Sequence, residues 1–163
     1  DIAAPSHVRL VKVITARDML AACEAELPTD IAVMSAAVAD WRPEIAANNK
    51  IKKGADHHSP TLRLVENPDI LATLAQHAKR PRLVIGFAAE TNDVLAHAVA
   101  KRKRKNADWI VANDVSGDVM GGDRNQVHLI TATTQEHWPE MAKAEVARRL
   151  VQHITQHFQG TAS

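Results

Sequence analysis

Three short apolar stretches constrain this chain most. Residues 31–37, 83–89 and 109–113 are apolar or small nearly throughout, and each is too short for a packed helix. Such runs read as buried strands. The stretch 31–37 has the character of a central parallel strand covered on both faces. Segments of helical periodicity stand between them, so the chain reads as alternating strand and helix. That pattern predicts an α/β fold with a largely parallel sheet and helices on both faces, a Rossmann-like three-layer αβα arrangement. In such sheets ligands bind beyond the carboxyl ends of the strands. Here those ends carry residues 36–40, 87–90 and 112–114.

The remaining elements follow in order. Residues 8–13 alternate with period two and predict a half-buried strand. Thr15 offers an N-cap with Asp18 three residues on, close to a capping box. Met19, Leu20, Cys23 and Leu27 follow at helical spacing, and Pro28 ends that helix. Residues 61–65 resume an extended pattern. Asn67, Pro68 and Asp69 form a helix start in which Asn67 caps, Pro68 takes the first helical position and Asp69 adds favourable charge. A helix is predicted over about 93–105, a strand over 126–131 and a last amphipathic helix over about 138–158. Between Asp40 and residue 61 lies a loop of about twenty residues, long enough to suggest a lid or binding flap.

Composition excludes several classes. With 163 residues and 45% hydrophobic content there is chain enough for one domain, expected to span 1–163. A formal net charge of +1, no tyrosine and few aromatics argue against nucleic acid as the main partner. The single cysteine, Cys23, excludes an internal disulfide and suits a reducing compartment. No apolar run reaches membrane-span length, so the expected setting is cytoplasmic, away from the membrane. The chain opens at Asp1 without methionine and is expected to be a piece of something longer.

The chemistry-bearing residues concentrate in two places. The stretch 35–53 passes from a strand end through Asp40 to Lys50, Lys52 and Lys53. A carboxylate at the root of a loop with cations at its tip suits an anionic ligand, although a turn carboxylate and a solvated loop would look the same. Residues 101–105 are all Lys or Arg. They read as a solvated helix end, as a nucleic-acid patch, or as a polyphosphate grip in which Lys101 and Lys105 share a face one turn apart. No Walker A pattern and no G-x-S-x-G elbow occurs. His153 and His157 are four apart but lack the glutamate of a zinc-protease motif, and read as exposed histidines.

Four stretches taken in order carry a family resemblance: A-A-V-A-D-W-R-P with the later K-I-K-K, then E-N-P-D-I, G-F-A-A-E-T, and K-R-K-R-K-N-A-D-W-I-V-A-N-D-V. Together they resemble phosphopantothenate–cysteine ligases, often the C-terminal half of a bifunctional coenzyme A enzyme, across nearly the whole chain. The resemblance implies CTP-dependent joining of phosphopantothenate to L-cysteine through an acyl-cytidylate, with Mg²⁺ at the triphosphate. FMN would belong only to a fused decarboxylase domain outside this chain. By position it implies that Ser35, Ala36, Ala37 and Asp40 form the strand-end floor of the nucleotide site. It makes Lys50 the flap lysine at the reacting phosphate, with Lys50 and Asp40 as the catalytic pair. Asn67, Pro68, Asp69 and Ile70 become a nucleotide-contacting helix start, Phe87 a pocket wall, and Lys101 and Lys105 the triphosphate pair. Members begin with a glycine-rich segment that helps bind the acyl substrate, and this chain starts after it, so an N-terminally incomplete ligase domain is expected. A homodimer, or a place in a larger bifunctional oligomer, is also implied. The alternative is a truncated nucleotide-binding module without ligase activity.

Overall fold

The computed structural model describes residues 4–45, 61–90, 92–114 and 124–160. The elements in order are α1 (Ala16–Ala25), β1 (Ile31–Met34), β2 (Trp41–Pro43), β3 (Leu64–Glu66), α2 (Ile70–Gln76), β4 (Leu83–Glu90), α3 (Val94–Lys105), β5 (Trp109–Asp114), β6 (Arg124–Ile130), β7 (Gln135–Ala142) and α4 (Lys143–Gly160). A five-stranded sheet runs β1-β4-β5-β6-β7, and β2 pairs with β3 in a separate two-stranded sheet. β1, β4 and β5 are parallel, with Val33 opposite Ile85 and Phe87 opposite Val111. β6 and β7 are antiparallel additions, with Ala112 opposite His128 and His128 opposite His137. The α/β expectation holds, with a sheet that is parallel at its ligand-presenting side and antiparallel beyond β5.

Alternation along the central strands sorts the core into two faces. Leu83, Ile85, Trp109, Val111, Val127, Leu129 and Trp138 pack against Val146 and Leu150 of α4. On the other face Ala88, Ile110, Ala112 and Ile130 pack against Ala98 of α3, with Leu71 of α2 beside them. Burying each large aliphatic side chain contributes about 1.5–3 kcal/mol. The alanines on the second face let α2 and α3 sit close to the sheet. Gly86 takes this furthest. A Cβ there would lie 2.5 Å from Leu71 Cδ2 and 2.9 Å from Ile110 Cδ1.

Local signals explain most helix starts. Thr15 and Asp18 form the capping box that opens α1, each side chain accepting from the other's backbone N–H. α2 begins two residues later than expected. Its N-cap is Asp69, whose carboxylate accepts from Ala72 N–H. Asn67 is therefore not the cap, because its amide groups bind the strand-end segment instead.

Four expectations are corrected by tertiary context. Residues 8–13 form no strand, and Val8, Leu10 and Val11 are exposed. Alternation specifies extended backbone, but a strand also needs a partner ladder. The 31–37 run yields only β1, which is an edge strand, half-buried rather than central, with Val33 46% exposed. Part of the expected long loop is ordered: Trp41–Pro43 pairs with Leu64–Glu66. Finally, Trp138 and Met141 lie in strand β7, and the last helix starts at Lys143. The turn at 131–134, closed by Thr131 N–H to the Thr134 carbonyl at 2.9 Å, sends the chain back along β6. Trp138 then fills the α4 face completely buried.

The close approach at position 86 gives a test. Gly86→Val should destabilise the protein by about 1–3 kcal/mol, the usual range for overpacking. Urea denaturation read by circular dichroism measures this. A change below about 0.5 kcal/mol, the ordinary scatter of surface substitutions, would mean that the ends of Leu71 and Ile110 move aside and that the packing does not require glycine at 86.

Candidate nucleotide site

A cavity of about 600 Å³ opens at the carboxyl ends of β1 and β4. That volume lies within the range of small-molecule sites. One wall is the backbone that leaves β1, residues 35–41. Joined to it through the β2–β3 pairing is a second wall, the turn from β3 into α2, residues 66–71. The floor is Phe87, Ala88 and Ala89 of β4, and α3 contributes Lys101 and Lys105. Small residues make this geometry possible. Ala36, Ala37, Ala39, Ala88 and Ala89 leave room and expose backbone polar groups to whatever occupies the space.

All the described residues that the family resemblance assigns to the site line this one cavity: Ser35, Ala36, Ala37, Asp40, Asn67, Pro68, Asp69, Ile70, Phe87, Lys101 and Lys105, whereas the third strand end, 112–114, does not reach it. Lys50, with Lys52 and Lys53, lies outside the described residues. Sequence reading missed Met19 of α1, together with Met34, Trp41, Glu66 and Leu71. Met19 sits at an apolar helical position and reads as core. Only the approach of α1 to α2 brings it to the rim.

Both lysines are held by protein acceptors. Lys101 Nζ donates to the Phe87 carbonyl at 2.9 Å. Lys105 Nζ forms an ion pair with Asp69, the cap of α2. Burial would push the Asp69 carboxyl up. The Lys105 and Ala72 hydrogen bonds, with the Lys105 and Arg104 charges, outweigh it and hold Asp69 below the usual carboxylate range. Arg102 turns instead towards the Ala107 carbonyl at 3.5 Å. The basic run is thus divided by direction. Its first and last members face the cavity, which weakens the nucleic-acid reading.

The cavity's donors suit an anion, and its carboxylates bear on a metal. Among the described residues no group of three or more His, Cys, Asp or Glu side chains is placed to hold a metal ion alone. Mg²⁺ usually takes one or two carboxylates and completes its shell with phosphate oxygens and water. Asp69 is engaged by Lys105, which leaves Asp40 and Glu66 on adjoining segments of the lining. These residues fit a Mg²⁺ that arrives with a polyphosphate. The histidines of α4 do not enter the site. His153 contacts Glu136 Oε2 and the Arg149 carbonyl, each at 2.9 Å.

A mixed sheet flanked by helices, with a cavity beyond its parallel strand ends and two lysines on the cavity wall, places this chain among the α/β proteins that present a ligand site at their strand ends. The chain belongs to the family described as the DNA/pantothenate metabolism flavoprotein C-terminal domain, which it matches over residues 1–158. It is 40% identical over 141 residues to the coenzyme A biosynthesis bifunctional protein CoaBC of Vibrio parahaemolyticus, covering 86% of this chain and 34% of that protein. It is 39% identical over 158 residues to CoaBC of Escherichia coli, covering 94% of this chain and 39% of that protein. Among solved structures, the C-terminal domain of a CoaBC superposes with a TM-score of 0.78 at 32% identity, covering 98% of this chain and 70% of that one. The chain therefore spans well under half the length of these curated relatives. No described helix is long and apolar enough to cross a membrane.

Asp69 carries a pH test. A depressed folded-state pKa stabilises the fold fully above the unfolded value of about 3.9, and that stabilisation is lost as pH falls through the folded value. Asp69→Asn keeps a good cap but loses the ion pair. Its cost at neutral pH should stay below about 1 kcal/mol, because the Asp69 side chain is 43% exposed. The gap to wild type should close as the pH is taken below about 3.9. Denaturation at pH 7 and pH 3 measures it, and a gap independent of pH would rule out the charge as its source.

Proposed function

We propose that this chain is the nucleotide-handling part of a phosphopantothenate–cysteine ligase in coenzyme A biosynthesis, using CTP. The observation that carries the reading is the convergence, on one cavity at the strand ends, of all the described residues that the resemblance assigns to the nucleotide, with Lys101 and Lys105 on its wall. The coenzyme A relatives support the pathway. In this reading the phosphopantothenate carboxylate attacks the α-phosphate of CTP, giving an acyl-cytidylate and releasing pyrophosphate. The amine of L-cysteine then attacks the acyl carbon, forming the amide and releasing CMP.

Charge management is the protein's main task in such a reaction. Three phosphates and a carboxylate must be brought together, and fixed cations in a partly desolvated site stabilise the charge that builds on the leaving pyrophosphate. Lys101 and Lys105 would exchange the Phe87 carbonyl and Asp69 for phosphate oxygens. Mg²⁺, where bound, would neutralise phosphate charge, and Asp40 and Glu66 are the residues that would hold it. Lys50 acts in this proposal as a cation closing over the reacting phosphate. The acyl-substrate site, a homodimeric or larger bifunctional assembly, and a single ligase domain over 1–163 are parts of the same proposal. No flavin step falls to this chain.

Calorimetry with CTP, ATP and UTP in Mg²⁺ tests the site. CTP should bind in preference to the other two, and Lys101→Ala or Lys105→Ala should weaken it about tenfold or more, the scale of a lost charged hydrogen bond. Equal binding of all three nucleotides would favour a general nucleotide module. Absence of pyrophosphate release with phosphopantothenate, in a chain extended by the full length of its relatives, would exclude the ligase.

Lys50 gives a separate expectation. In that extended enzyme Lys50→Ala should lower kcat about a hundredfold, the scale of one lost oxyanion-type contact, while CTP affinity changes little. Equal losses in both would make Lys50 an ordinary binding residue.

A further inference from the structure

The two walls of the cavity are joined by a compact set of hydrogen bonds that no reading of the motifs required. Asn67 is at its centre. Its backbone N–H donates to the Asp40 carbonyl at 2.7 Å. Its side-chain Nδ2 donates to the Ala39 carbonyl at 2.8 Å. From β2, Arg42 Nη1 donates to the Glu66 carbonyl and to Asn67 Oδ1, the latter at 3.4 Å. The two residues' chemistry fixes the orientation of the amide. A carbonyl can only accept and a guanidinium can only donate, so Nδ2 must face Ala39 and Oδ1 must face Arg42.

We propose that Arg42 and Asn67 are positioning residues for nucleotide binding, setting the distance between the strand-end wall and the α2 wall. Two observations support this over a role as mere turn chemistry. The β2–β3 ladder pairs three residues on each strand, from Trp41 opposite Glu66 to Pro43 opposite Leu64, and one further backbone bond at each end, Glu44 N–H to the Arg63 carbonyl and Asn67 N–H to the Asp40 carbonyl, extends it. A two-stranded ladder that short is marginal by itself. Also, Arg42 does not line the cavity, whereas the residues it and Asn67 tie together, Ala39, Asp40 and Glu66, all do. Its charge is spent on the wall's own acceptors. It acts through Asn67 and the wall backbone rather than on the ligand.

The inference rests on the cavity being a nucleotide site, and the test separates the two. Arg42→Lys keeps the charge but replaces a planar fork with a single point donor. Asn67→Ala removes both side-chain bonds, to the Ala39 carbonyl and from Arg42, without adding charge to the cavity. Binding of CMP, CDP and CTP with Mg²⁺ is measured by calorimetry for wild type, both variants and Lys101→Ala. Positioning predicts that each wall variant loses about tenfold, the scale of one charged hydrogen bond, by the same factor for all three nucleotides. Lys101→Ala should instead lose more as phosphates are added. A loss for Arg42→Lys that grows from CMP to CTP would make Arg42 a phosphate contact and overturn the proposal. So would unchanged affinity in both variants.

Hydrogen exchange supplies the second readout. The Asn67 amide, bonded to Asp40, should exchange faster in Arg42→Lys while β5 and α4 keep wild-type protection. If wild type binds none of the nucleotides, the functional reading fails, and the exchange result alone decides whether the staple holds the walls. Unchanged exchange at Asn67 would overturn it.

Discussion

The cavity depends on β4 being covered on both faces while carrying no side chain at position 86. Leu83 and Ile85 are fully buried towards α4, and Ala88 faces α2 and α3. At Gly86 the missing Cβ lets Leu71 and Ile110 close over the strand. That contact places the start of α2, and with it residues 67–70, beside the carboxyl end of β4. A side chain at 86 would meet the ends of the Leu71 and Ile110 side chains, which would have to shift to admit it.

Electrostatics then prepares the cavity so built. A lysine facing a cavity in a domain of near-neutral charge can collapse onto many acceptors. Here each one has a specific acceptor, the Phe87 carbonyl for Lys101 and Asp69 for Lys105. Both acceptors are themselves held by secondary structure, one in β4 and one as the cap of α2. The cations are therefore held at the cavity wall with part of their side-chain entropy already lost.

Local chemistry was legible where it is decided by neighbours in the chain. Thr15 and Asp18 announced the start of α1, and the apolar stretch 83–89 announced a buried strand. The candidate site was legible through four motifs in order, whose assigned and described site residues meet at one cavity although they are scattered from Ser35 to Lys105. What was not legible depends on partners. The alternation of 8–13 resembles a strand but finds no ladder, and 31–37 is apolar enough for a central strand yet lies at an edge. Trp138 and Met141 are three apart, which fits a helix face. The returning hairpin after Thr134 makes them strand residues instead.

The sequence by itself determined the α/β class, the order of most elements and the identity of the residues that could serve an anionic ligand. These follow from periodicity, capping and residue chemistry, all of which act over a few positions. Only the tertiary structure decided that β1 is an edge, that Asp69 rather than Asn67 caps α2, and that Lys105 is paired with Asp69 thirty-six residues away. It alone showed Asn67 and Arg42 tying one wall to the other. The physical reason is that a hydrogen bond between distant segments depends on where the whole sheet places their backbones. No local preference of Asn67 or Arg42 encodes that placement.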